Sequence, residues 1–147
     1  KWNRCKPIDY ENTIKIIEKI STKTKLIITT GLKDFAFLDT LEQKFKTYNF
    51  EDSKFYLVNK MNENSSVSVL KNLPLNLLAF FIGSSEKNIS FHSGPIIHIS
   101  PAFDKEILDI IPRNKNDELD RWIPVISNYK RINFEDLNND FLNKFII

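Results

Sequence analysis

Apolar residues follow two rhythms along this chain, a helical spacing and short unbroken runs. Tyr10, Ile14, Ile17 and Ile20 recur at helical spacing and predict a helix from Tyr10 to about Ile20, with Asp9 as its cap. Lys25 to Thr30 is a short apolar, β-branched run that ends at Gly31 and reads as a buried strand. Phe35, Leu38, Leu41 and Phe45 mark a second amphipathic helix, with Asp34 near its start. Lys54 to Val58 reads as a second strand, and Met61 to Ser66 as a polar loop. Val67 to Leu70 is a short strand or an extended connection. Pro74 opens a short helix through Leu77, Leu78 and Phe81 to Gly83.

Ile89 to Phe91 read as the end of another buried strand. Ser93 and Gly94 are turn and N-cap types, and Pro95 suits a first helical turn. The helix from Pro95 to Phe103 should kink or stop at Pro101. Glu106 to Ile111 is a strand closed by Pro112, followed by a charged loop from Arg113 to Asp120. Trp122 to Ser127 is irregular or extended, and Lys130 to Ile132 resembles a last strand. Asn133 is expected to cap a final helix carrying Phe134, Leu137, Phe141 and Phe145, with Glu135 and Asp136 in its first turn. Helices alternating with short apolar strands predict an α/β protein. The expectation is a Rossmann-like parallel sheet of at least four strands, around Leu26, Phe55, Ile89 and Ile107, with helices on both faces.

Length and composition narrow the class. The 147 residues suit a single domain with a real core, and 41% hydrophobic residues exclude a disordered chain. A net charge of +2 is too small to argue for nucleic acid, and Lys and Glu are interspersed as on a solvated surface. The single cysteine, Cys5, excludes an internal disulfide and a cysteine-based zinc site, so a reduced compartment is favoured. No apolar run approaches the ~20 residues of a membrane span. Lys1 to Tyr10 is polar and irregular, unlike a signal segment. The chain opens with a helix pattern and without a methionine, so a longer parent with a strand before Lys1 is expected.

Candidate chemistry gathers at Ile89-Ser90-Phe91-His92-Ser93-Gly94-Pro95-Ile96-Ile97-His98. A strand that turns tightly into a helix leaves free N–H groups beside the strand's carboxyl end, where α/β sheets bind phosphates. The two histidines of the chain, His92 and His98, flank the turn. The plainer reading is a helix cap with His92 exposed and His98 partly buried and satisfied. Two histidines six positions apart, with no acidic cluster beside them, do not make a metal site. There is no Gly-x-Ser-x-Gly elbow around Ser93 and no P-loop.

The order of these elements, with His92-Ser93-Gly94-Pro95 and His98 at its centre, resembles the C-terminal half of the heptosyltransferase-like bacterial glycosyltransferases of family 9. Phe103 to Ile111 looks like the turn and strand that follow the motif, and Leu75 to Gly83 like the helix before it. Arg4-Cys5-Lys6-Pro7-Ile8-Asp9-Tyr10 is similar to the basic loop entering the first helix, and Leu26 to Gly31 to the second strand. His92 stands where the main family has an aspartate, and His98 lies one position further from the glycine, as in a divergent branch.

The resemblance implies one half of a GT-B architecture, with residues 1–147 forming a single Rossmann-like domain that holds a nucleotide-sugar donor. It implies transfer of a sugar to a cell-surface glycan such as the lipopolysaccharide core. The leaving diphosphate would meet the N–H groups around Ser93, Gly94 and Pro95, with Arg4 and Lys6 as candidate cations. Asp34 is the candidate ribose acceptor, with helix-start charge compensation as its other reading. His92 and His98 complete the substrate-binding set. No catalytic base is assigned, because in this family it comes from the absent N-terminal half, and the isolated domain is expected to be inactive. No cofactor, metal or nucleic acid is expected. The expected partners are the donor, the N-terminal half and a glycan or lipid-linked acceptor, and the expected location is the cytoplasm, with peripheral contact at the inner face of the cytoplasmic membrane as an option. A non-catalytic nucleotide- or partner-binding module of the same fold, or a sialyltransferase half, are the alternatives.

Overall fold

Apolar spacing and β-branched runs translate into helices and strands almost where the sequence puts them. The computed structural model describes residues 10–30, 36–50, 67–91, 94–115, 120, 123–124 and 128–146. The fold is Rossmann-like α/β, and the strand pairings among these residues are parallel. The strands form two three-stranded sheets instead of one longer sheet. They belong to two units, Tyr10–Leu78 and one built on Ala79–Ile147.

The first unit contains α1 (Tyr10–Ser21), β1 (Leu26–Thr30), α2 (Ala36–Lys44), β2 (Lys46–Asn49) and β3 (Val67–Lys71). Its strand order is β1-β3-β2. The short run Val67-Ser68-Val69-Leu70, open between strand and connection in the sequence, is the central strand. All four of these residues are buried, as expected for a parallel strand covered on both faces. Ile14 and Ile17 of α1 and Leu38 and Leu41 of α2 pack on Val67 and Val69, with Leu26 and Ile28 alongside. Strand β2 carries no apolar signal in the sequence, because Lys-Thr-Tyr-Asn is polar and follows α2 with a single residue between. Its pairing to β3 makes it a strand. The strand expected at Lys54–Val58 lies outside the described residues.

Helix α3 (Leu75–Ser84), whose residues from Ala79 onward belong to the second unit, leads into β4 (Lys87–Ser90). There follow α4 (Gly94–Ile99), β5 (Glu106–Ile111), β6 (Tyr129–Asn133) and α5 (Asn139–Ile146). The strand order is β4-β5-β6. Helix α4 tightens at Ser100–Phe103 into a 3-10 turn with Pro101 in it, since proline offers no N–H to an α-helical ladder. Asp104 closes the turn in the left-handed region at φ 52°, its N–H donating to the Pro101 carbonyl at 3.1 Å.

One face of this sheet is apolar. Leu108 and Ile110 pack on Phe145, ringed by Ile89, Phe91, Ile132, Phe134, Leu137 and Phe141. Phe145 and Leu142 are buried, whereas Phe134, Leu137 and Phe141 are half-buried at the rim. The final helix is not continuous from Asn133. A 3-10 turn at Phe134–Asp136 precedes it, and Asn133 makes no side-chain cap bond. The cap is Asn138, whose Oδ1 accepts the Phe141 N–H at 2.9 Å. Asn133 is instead engaged as the last residue of β6, in register with Ile111. At the far end, Lys87 Nζ donates to the Phe145 carbonyl and lies 5.4 Å from that ring's centre, tying the last turn of α5 to β4.

Candidate functional site

Strand β4 ends at Ser90, and α4 begins four residues later at Gly94. The expected strand and helix are therefore present, and the turn residues between them, His92 and Ser93, lie outside the described residues. Gly94 and Pro95 are exposed, and a Cβ placed on Gly94 would meet nothing within 4 Å. Backbone at this helix start is open to a ligand, and a side chain there would obstruct only what approaches from outside. His98 is exposed rather than partly buried. Ile97 takes the buried position of α4, and His98 falls one turn after Gly94 on the same side of the helix. The structure thus brings together Gly94, Pro95 and His98. His92, Ser93, Arg4, Lys6 and Asp34 lie outside the described residues. At the carboxyl end of β1, Thr30 Oγ1 is buried and makes no hydrogen bond among the described residues.

The other face of the β4-β5-β6 sheet carries a polar constellation that sequence reading missed. Register places Ser90, Asp109 and Arg131 side by side on one face. Asp109 is fully buried, 0% exposed, in the middle of β5. The Tyr129 hydroxyl donates to Asp109 Oδ2 at 2.7 Å. Arg131 Nε donates to the Tyr129 oxygen at 3.1 Å and stands 3.9 Å from the same carboxylate oxygen. The outer end of Arg131 donates from Nη1 to Asp120 Oδ1 at 2.6 Å. Glu-Ile-Leu-Asp-Ile-Ile held the signal: a carboxylate inside an apolar run needs a partner brought by another strand. The partner's identity needed the register.

The Tyr129 hydroxyl is pushed well above its ordinary 10.0, first by burial, then by its hydrogen bond to Asp109 and by that carboxylate's charge, with Arg131 opposing. An unfolded tyrosine loses its proton near pH 10.0, while Tyr129 in the fold keeps it. Above that pH the unfolded state binds fewer protons. The contribution of this contact is therefore full below pH 10 and is lost as pH rises toward the folded value. Subtracting the phenolate absorbance of Tyr129→Phe from that of the parent should leave nothing at about pH 10–11 while the fold persists. One ordinary phenolate in that difference would contradict the geometry.

Among the described residues no group of three or more histidines, cysteines or carboxylates could hold a metal. No described helix is long and apolar enough to cross a membrane. No protein-family model, curated protein or solved structure matches the chain.

Proposed function

We propose that this chain is the nucleotide-sugar-binding part of a glycosyltransferase that builds a cell-surface glycan such as the lipopolysaccharide core. The observation that carries the reading is the open helix start at Gly94, directly after the carboxyl end of the parallel strand β4. Parallel α/β sheets bind phosphorylated ligands at that end, where backbone N–H groups are unpaired. Family resemblance through His92-Ser93-Gly94-Pro95 and His98 adds the substrate class.

In this reading the acceptor hydroxyl attacks the anomeric carbon, and the bond to the nucleoside diphosphate breaks. The N–H groups at the turn stabilise the negative charge that develops on the leaving diphosphate. His98, on the Gly94 side of α4, is within the region a bound sugar or phosphate would occupy. Arg4 and Lys6 supply positive charge. A base from a companion N-terminal half takes the acceptor's proton, and no cofactor takes part. We assign the activity to the cytoplasmic face of the membrane, the compartment expected for a nucleotide-sugar donor and a lipid-linked acceptor.

Calorimetric titration with ADP-, UDP-, GDP- and CMP-sugars tests this. Binding of an ADP- or GDP-sugar supports the heptosyltransferase-like reading, and CMP-sialic acid the sialyltransferase alternative. Silence across the set leaves a module of the same fold without donor binding. Gly94→Val should weaken the bound donor at least about tenfold, equivalent to ~1.4 kcal/mol. The new side chain meets no protein atom, so the melting temperature should hardly move. A Gly94→Val protein that binds the donor like the parent reduces the turn to a helix cap.

A further inference from the structure

A buried carboxylate in a sheet is expensive, because two charges must leave water and be held in good geometry. Asp109 meets these demands with two residues of the neighbouring strand, Tyr129 and Arg131. The arrangement is directional. The inner edge of Arg131, through Nε, is fixed by Tyr129 and Asp109. Its outer end reaches a carboxylate of different character. The Asp120 side chain is 60% exposed, against 14% for Arg131 and 0% for Asp109. Asp120 lies in the connection between β5 and β6, not in either strand. A guanidinium anchored from behind by a buried acid and turned toward an exposed one is pre-organised for an oxyanion.

We propose that the outer end of Arg131 is an oxyanion seat, occupied here by Asp120, which a phosphate or carboxylate group of a ligand displaces. Asp120 is 60% exposed and is rehydrated when it leaves, so it yields to a ligand group that makes the same contacts with Arg131. Asp109 and Tyr129 stay in place during the exchange, because their bonds lie on the other edge of the guanidinium. They are positioning residues: they hold the fork, and the ligand's oxygens meet only Arg131. The proposal rests on Arg131 and Asp120 and stands whether or not a donor diphosphate binds at the Gly94 turn.

The test is a titration of inorganic phosphate and, separately, acetate, at ~0.15 M salt, where charges more than about 8 Å apart are largely screened. Asp120→Asn should bind phosphate about two- to sixfold more tightly than the parent, the gain from removing a weakly held internal competitor. Asp140→Asn removes the same charge from the exposed first turn of α5 and should change affinity by less than that. The Arg131 Nε–H resonance, identified by its loss in Arg131→Lys, should move as phosphate is added. Arg131→Lys keeps the charge near Asp109 and should bind phosphate more weakly than the parent, since it has no fork. A gain for phosphate alone identifies a phosphate seat, and a gain for both anions a general oxyanion seat. An Asp120→Asn gain no larger than that of Asp140→Asn, or an unmoved Arg131 resonance, overturns the proposal. The Arg131 Nε–H shift and the Asp120→Asn gain report this seat alone, whereas nucleotide-sugar binding reports the donor site, so failure of one is distinguishable from failure of the other.

Discussion

Truncation after Asn138 should abolish the cooperative melt of the unit built on Ala79–Ile147. The removed segment is α5, which supplies Phe141, Leu142 and Phe145. Phe145 is 4% exposed and Leu142 is 2% exposed, so their apolar surface is almost wholly spent on this fold. Phe145 packs on Leu108 and Ile110, each at most 1% exposed, at the centre of the sheet's apolar face. Replacing a single buried Phe by alanine typically costs ~3–5 kcal/mol, and a buried Leu ~2–5 kcal/mol. A domain has only ~5–15 kcal/mol in total. Loss of the whole helix, with the Lys87 bond to the Phe145 carbonyl, therefore exceeds what the unit can absorb. Urea denaturation followed by far-ultraviolet circular dichroism, with amide hydrogen exchange at β5, reads the outcome. Phe145→Ala alone should lower stability by ~3–5 kcal/mol. Unchanged protection of Leu108 and Ile110 in the truncated chain would contradict this account of the core.

Asp109→Ala should be the most damaging polar substitution, at about 3–5 kcal/mol. Removing the acid leaves the Tyr129 hydroxyl without its 2.7 Å acceptor and Arg131 without its buried counter-charge. The cost is that of orphaned partners, not of a lost contact alone. A combined Asp109→Leu, Tyr129→Phe, Arg131→Met variant should therefore recover most of it, because well-packed apolar residues can replace a buried ion pair without loss. The comparison separates stability from function. If the constellation serves an oxyanion seat, the apolar variant folds and loses the phosphate binding that Asp120→Asn strengthens. Asp109→Ala melting within about 1 kcal/mol of the parent would show that the buried carboxylate matters little to stability.

Much of the fold was legible in sequence because each element carries its own periodic signal. Tyr10, Ile14, Ile17 and Ile20 place a helix that runs from Tyr10 to Ser21. Glu106–Ile111 forms a strand with the boundaries its apolar run suggests. Pro101 ends the α-helical part of its helix through the N–H it lacks. These are local effects, set by residues within one or two turns of one another. Elements whose identity depends on a distant partner were not legible. Polar Lys46–Asn49 becomes a strand because β3 lies beside it. Val67–Lys71, short enough to be a connection, becomes the central strand because β1 and β2 flank it.

The candidate site divides along the same line. Sequence alone determined the α/β class and the succession of strand and helix at Ser90 and Gly94. Both follow from local apolar spacing and from the fixed backbone of proline at a helix start. Tertiary structure alone decided the rest. It put the strands in two three-stranded sheets, exposed His98 while burying Ile97, and moved the helix cap from Asn133 to Asn138. It also aligned Ser90, Asp109 and Arg131 across three strands. The physical reason is register. A side chain's face follows from the strand's own alternation, but which residues stand beside it is fixed only when strands distant in sequence pair.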